Sequence, residues 1–286
     1  QAGHVPPAGP LWKLSAAMPR YKIIVAYEGT NFHGWQKQEP VAAIPLRTAQ
    51  GVLEDAVIRV VREPIVLTGA SRTDAGVHAH GQVAAFTTTR DIPPNKLPRA
   101  ITAKCPADIQ VHAAEVVPGH FDPITHAVDK KYGYQIQHGP VLPPLFDRRT
   151  TWRTHHRLDP VPMRIAASLL VGRHDFAAFA QASHGRYSTV REIFQCDVLE
   201  TGDNRLKIEV RGSGFLYNMV RIIAGTLVEV GRGALQPDDI TSSLESGDRL
   251  SCGPTLGPQG LCLEWIRHEF PAEGRTFEAG FKGDHQ

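Results

Sequence analysis

Cysteine is scarce in these 286 residues, with only Cys105, Cys196, Cys252 and Cys262 and no Cys-x-x-Cys pair. That excludes a zinc-finger framework and a disulfide scaffold, and leaves the four as small buried hydrophobes of a reducing cytosol. Long apolar runs are missing as well. None approaches the roughly 20 residues of a membrane-spanning helix, so no membrane segment is expected. The stretch 1–17 lacks the basic start and long apolar core of a signal peptide. Because Met18-Pro19-Arg20 then opens a strand-like run, 1–17 reads as a tag remnant or disordered extension. Charge of one sign is not in excess either: 31 Lys and Arg face 29 Asp and Glu, a net +2. That balance neither demands nor excludes a nucleic-acid partner. A glycine-rich nucleotide loop and a metal box are also absent. His78, His80, His155 and His156 have no Cys or Glu ligand set at metal spacing, so neither metal nor other cofactor is expected.

What is present is an ordinary globular balance, 42% hydrophobic and 21% charged, in a chain long enough to bury roughly 75% of its unfolded surface. Hydrophobic periodicity orders it. Tyr21 to Tyr27 predicts a strand, and the apolar stripe from Thr48 to Arg62 a helix closed by Pro64. Ile65 to Gly69 and Gln82 to Thr87 predict two strands around a loop from Ser71 to His80, followed by a helix over Pro94 to Ala103 and a strand over Ile109 to Val117. The second half repeats this βαββαβ order. It has a strand over Tyr132 to Gln137, a helix over Pro160 to Val171, strands over Thr189 to Glu200 and Leu206 to Arg211, and a long helix over Phe215 to Val230. A shorter helix over Pro237 to Glu245 precedes a closing strand over Leu261 to Ile266. The expected fold is α+β: two tandem ferredoxin-like halves, 18–120 and 121–270, joined into one extended mixed sheet flanked by helices, with a tail over 271–286.

Three features carry chemistry. The loop Arg72-Thr73-Asp74-Ala75-Gly76-Val77-His78 puts a carboxylate between two apolar strands, although Thr, Asp and Gly are also ordinary turn formers. Arg221 interrupts a largely apolar helix, where a buried guanidinium requires a carboxylate partner. Asp74 is the candidate; the alternative places Arg221 on the helix's wet side. Tyr132 and Tyr134 alternate onto one strand face behind Lys130 and Lys131, an arrangement that suits an unstacked base and its phosphates as well as a plain core strand. From 120 to 173, eight basic residues face four acidic ones, including Arg148, Arg149, Arg153 and Arg157, so a phosphate-tracking surface competes with a solvated face.

These residues in this order resemble the tRNA pseudouridine synthase A family, from Met18 to about His268. The most specific match is Arg72 to His78, similar to the family's catalytic-aspartate signature. Tyr27-Glu28-Gly29, Phe32 to Gln38, Thr48-Ala49-Gln50, Leu170 to Phe179, Thr189-Val190-Arg191 and Gly214 to Arg221 followed by Gly225 and Glu229 to Gly233 match further segments. The resemblance implies the pseudouridine synthase fold and isomerisation of uridine to pseudouridine without cofactor. Asp74 would be the catalytic carboxylate, Arg221 its ion-pair partner and Tyr132 the aromatic against the target base. Arg72, Thr73, His78, Lys130 and Lys131 would contact the RNA. It also implies a cytoplasmic homodimer acting on the anticodon stem-loop of tRNA, positions 38 to 40. Two departures, Ile124 after Phe121-Asp122-Pro123 and Lys130-Lys131 in place of an arginine pair, touch the grip on RNA rather than the reaction. The competing readings are an RNA-binding protein without catalysis and a metal-dependent hydrolase built on the His pairs.

Overall fold

The computed structural model describes residues 18–38, 46–181, 188–269 and the backbone of 276–278. The expected extension over 1–17, the connection before Thr48 and most of the expected tail lie outside the described residues. In the first half, β1 (Arg20–Tyr27) leads through α1 (Ala49–Val61) to β2 (Thr68–Gly69) and β3 (His78–Thr87), then through α2 (Leu97–Thr102) to β4 (Ile109–Val117). In the second, β5 (Ala127–Gln137) and the short β6 (Trp152–Arg153) precede α3 (Pro160–Leu169) and β7 (Gly172–Asp175). There follow β8 (Val190–Gly202), β9 (Arg205–Gly212), α4 (Met219–Gly231), α5 (Asp239–Ser246), β10 (Leu261–Glu269) and β11 (Thr276–Glu278).

Local chemistry sets the helix ends. The Thr48 hydroxyl caps α1 by accepting from the Gly51 N–H, and Asp159 caps α3 by accepting from the Val161 N–H, with Pro160 in the first turn. α4 starts four residues later than its apolar stripe suggests. Asn218 takes a positive φ of 61° at its N-terminus, which keeps Phe215 to Tyr217 out of the helix.

One sheet runs through both halves in the order β4-β1-β3-β10-β5-β9-β8-β7. Each half repeats the same arrangement: β4-β1-β3-β2 is matched by β10-β5-β9-β8. Strand alternation sorts the side chains. On β9, Leu206, Ile208 and Val210 are buried on the core side, whereas Lys207, Glu209 and Arg211 occupy the opposite face. Tyr132, Tyr134 and Ile136 of β5 pair with that apolar set and pack towards α4.

The halves join along one edge of β3. β2 occupies one end of that edge, Thr68 opposite Ala85 and Gly69 opposite Ala84. β10 occupies the other in a parallel ladder only two pairs long, Cys262 with His78 and Leu263 with Ala79. The loop from Ala70 to Val77 emerges in the fork between them. The expected loop therefore ends sooner than read from sequence, because His78 to His80 already belong to β3. Among the described residues, no helix is long and apolar enough to cross a membrane.

Candidate active site

The fork loop is braced on every side before any catalytic group is considered. At its start, Ala70 donates to the Val83 carbonyl at 2.8 Å. Gln82, whose stretch of strand edge faces the gap, then substitutes for a missing ladder partner. Its amide donates to the Ser71 carbonyl at 2.6 Å and its carbonyl accepts from the Ser71 N–H at 3.3 Å. The Ser71 hydroxyl meets the Tyr132 hydroxyl at 3.1 Å and accepts from Lys130 Nζ at 3.2 Å, and that ammonium also donates to the Ala70 carbonyl at 3.0 Å. Lys130 is thus tied to the loop that carries Asp74.

Further along, the Thr73 hydroxyl bonds the Tyr27 hydroxyl at 2.7 Å, and the Thr73 carbonyl accepts from the Trp35 N–H at 3.0 Å. The Val77 N–H closes the turn onto the Asp74 carbonyl at 3.1 Å, with Gly76 at φ 79° supplying the left-handed step that a Cβ would strain. Gly34 is needed for close approach: a Cβ there would lie 2.8 Å from the Thr73 carbonyl oxygen. The segment Phe32 to Trp35, noted in sequence only for its resemblance, is thus a buttress under the loop.

This frame holds Asp74 at the surface of the core, its side chain 24% exposed. Arg221 comes from the first turn of α4, 15% exposed, and its Nη1 lies 3.5 Å from Asp74 Oδ2. Arg221 is fixed by other bonds as well. Its Nε donates to the Leu256 carbonyl and its Nη1 to Asn218 Oδ1, both at 2.7 Å. The expected pairing across the halves is present, but the guanidinium is held by its own half and the carboxylate is its third and longest contact. Burial raises the Asp74 pKa above its ordinary value, and the attraction of Arg221 offsets only part of that. A partly desolvated carboxylate beside this one cation is poorly satisfied as a charge.

Tyr132 is 5% exposed, edge-on to Phe215 with ring centroids 5.2 Å apart. Burial pushes its phenol up to about 12, the Ser71 bond countering in part, so it is neutral at physiological pH. A neutral ring suits packing and hydrogen bonding better than proton abstraction.

The other sequence candidates divide. Arg72 is exposed beside Asp74, while Thr73 is buried with its hydroxyl engaged by Tyr27. Lys130 and Lys131 point to opposite faces of β5: Lys130 joins the loop, and Lys131 pairs with Glu209 at 2.5 Å on the far side. His78 also belongs to the far face. Its Nδ1 accepts from the Gly29 N–H at 2.9 Å, and burial lowers its pKa below the ordinary histidine value. The basic stretch is likewise partitioned, with Arg149 against Glu28 at 3.2 Å and Arg164 against Glu200 at 2.6 Å. Sequence reading missed Gln82, Ser71, Asn218, Phe215 and the Leu256 carbonyl. Only Asn218, one helical turn before Arg221, had a signal in spacing.

With this geometry established, the similarities are specific. A family model described as tRNA pseudouridine synthase matches residues 23–123 and 166–269. Asp74 and Arg221 fall inside those spans, and Tyr132 falls between them. A tRNA pseudouridine synthase A of Geobacter sulfurreducens is 42% identical over 251 residues, covering 87% of this chain and 100% of that protein. Its counterpart from Syntrophotalea carbinolica is 43% identical over 242 residues, covering 85% and 93%. Another from Ruminiclostridium cellulolyticum is 42% identical over 250 residues, covering 87% and 99%.

Proposed function

Since the chain belongs to the tRNA pseudouridine synthase family, whose reaction is the isomerisation of uridine to pseudouridine in tRNA, we propose that Asp74 is the carboxylate that performs it. The observation that carries this reading is the meeting of Asp74 and Arg221, from opposite halves of the chain, at 3.5 Å on a loop braced from β3 and β5. The reaction breaks the bond between uracil N1 and ribose C1′, turns the ring and rejoins it through C5. Nothing is oxidised and no group is donated, so positioning and one nucleophile suffice. The carboxylate acts either on C1′ of the sugar or on C6 of the base. A uridine in a stem or loop first leaves its stack, at a cost of a few kcal/mol. Tyr132 and Phe215 offer the aromatic surface that receives it, and exposed Arg72 the phosphate contact beside it. Arg221, anchored independently on Leu256 and Asn218, orients the carboxylate and lowers its proton affinity. The substrate region is the anticodon stem-loop, at positions 38 to 40, and the working unit is a cytoplasmic homodimer, as the resemblance implies.

Asp74→Asn tests the assignment directly. The amide keeps the shape but is no nucleophile, so pseudouridine formation should fall by roughly 10⁴-fold or more. Affinity for tRNA, which rests on many phosphate contacts, should stay within about a few fold. Turnover near the wild-type rate, measured on tRNA by pseudouridine mapping, would remove Asp74 from the mechanism.

A further inference from the structure

The face of the sheet away from Asp74 carries a second constellation, at the two-pair ladder that joins the halves. His80 projects from β3, and Cys262 and Glu264 project from β10, so the group spans the seam between the first half and the last strand of the second. Their ligand atoms all lie within 4.8 Å of one another. His80 Nδ1 and Glu264 Oε2 are 2.9 Å apart. The other oxygen of Glu264 is fixed by Lys207 Nζ at 3.0 Å, which turns Oε2 towards the histidine. The Lys207 charge is itself answered by Glu209 at 2.9 Å. All three candidate ligands line a cavity of about 580 Å³, so one side of the group is open to water.

We propose that His80 Nδ1, Cys262 Sγ and Glu264 Oε2 bind one zinc-type divalent cation that clips the two half-sheets together. An imidazole, a thiolate and a carboxylate form a nitrogen, sulfur and oxygen set that zinc accepts and that magnesium or calcium, which take oxygen ligands, do not. Zinc bonds of about 2.0–2.1 Å to nitrogen, about 2.0–2.2 Å to oxygen and about 2.3 Å to sulfur are within reach of ligand atoms that all lie within 4.8 Å of one another. The ion takes the place of the proton shared by His80 and Glu264. That proton and the Cys262 thiol proton go to solvent, the metal–sulfur bond forms, and no electron is transferred. A water from the cavity completes the tetrahedron. The ladder it reinforces is only two pairs long, yet it holds the fork from which the Asp74 loop emerges. The role is therefore structural, on the face opposite the reacting carboxylate.

The experiment uses the full chain, stripped with EDTA and then titrated with zinc by calorimetry and with cobalt by absorption. One ion should bind per chain, raise the melting temperature and give the near-ultraviolet charge-transfer band of a cobalt–thiolate bond. Cys262→Ser should remove that band, and His80→Gln should weaken zinc binding by at least roughly tenfold. Cys252→Ser, a cysteine outside the group, should change neither. A wild-type chain that binds no zinc, or binds cobalt without the thiolate band, overturns the proposal even if a variant fails to fold. Equal zinc affinity in wild type, Cys262→Ser and His80→Gln overturns it as well.

Discussion

Asp74 and Glu264 lie on opposite faces of the same junction, and their carboxylates titrate in opposite directions. Both are partly buried, and for both burial is the largest influence, raising the pKa. At Glu264 a hydrogen bond with His80 and the charge and hydrogen bond of Lys207 outweigh burial and hold the group at about 2. At Asp74 the single cation, 3.5 Å away and already engaged by Leu256 and Asn218, does not. The difference teaches how one sheet serves two ends. A structural carboxylate is surrounded until its charge is favoured, whereas the carboxylate proposed to attack is left short of partners. The reactivity proposed for Asp74 would then rest on a deficit of stabilisation, supplied by a fork in the sheet that exposes a loop without flooding it.

Removing the satisfied charge should have the largest effect on stability. A shift from 4.5 to about 2, at about 1.4 kcal/mol per pKa unit, corresponds to about 3 kcal/mol. Because the folded pKa is depressed, that stability is fully present above pH 4.5 and is lost as pH falls through about 2. Glu264→Gln, measured by denaturant unfolding with EDTA present, should therefore lose up to about 3 kcal/mol at neutral pH. It should converge with wild type in strong acid. A neutral-pH loss near zero would mean that the ion pairs around Glu264 contribute nothing net.

Removing the cation at Asp74 should shift a titration rather than unfold the protein. The carboxylate must be ionised to attack, so kcat/KM should fall as pH drops through its raised pKa. Arg221 opposes that rise, and without it the pKa climbs further. Arg221→Met should move the acid limb of the profile upwards, in addition to lowering the plateau. An unmoved limb would show that Arg221 acts on the RNA and not on Asp74.

Much of this was readable in sequence, for identifiable reasons. The Asp74–Arg221 pairing was one of two sequence readings of Arg221, favoured by the cost of an unpaired guanidinium in an apolar helix over a place on the helix's wet side. The doubled βαββαβ order follows from periodicity. What escaped depended on long-range partners or on strand parity. Asp129 is fully buried because Arg211 and Arg267 reach it from β9 and β10, so β5 begins at Ala127 and not at Tyr132, as apolar content suggests. Lys130 and Lys131 look like one basic patch in sequence. Adjacent residues of a strand face opposite ways, and one braces the active loop while the other joins the ionic lattice behind it. His78 and His80 read as loop residues beside Asp74, but they belong to β3 and project from its other face. The fork itself was invisible, since it arises from where β2 ends and β10 begins.

The smallest effect, and the sharpest contrast, is expected from Asp74→Asn in the absence of RNA. A folded pKa above the ordinary 3.8 means that the native state prefers the neutral acid. The cost of ionising Asp74 is therefore absent at low pH, appears as pH rises through the folded pKa, and persists at neutral pH. An amide never incurs it. Arg221 is not orphaned by the change, because Leu256 and Asn218 still accept from it. Asp74→Asn should thus stabilise the chain at neutral pH by on the order of 1 kcal/mol, while Glu264→Gln destabilises it. Both variants should meet wild type in strong acid, approaching from opposite sides. Chemical denaturation at neutral and acid pH decides the matter. A loss of stability in Asp74→Asn at neutral pH would make the Asp74–Arg221 contact a structural ion pair, and the two faces of the sheet would then follow one rule instead of two.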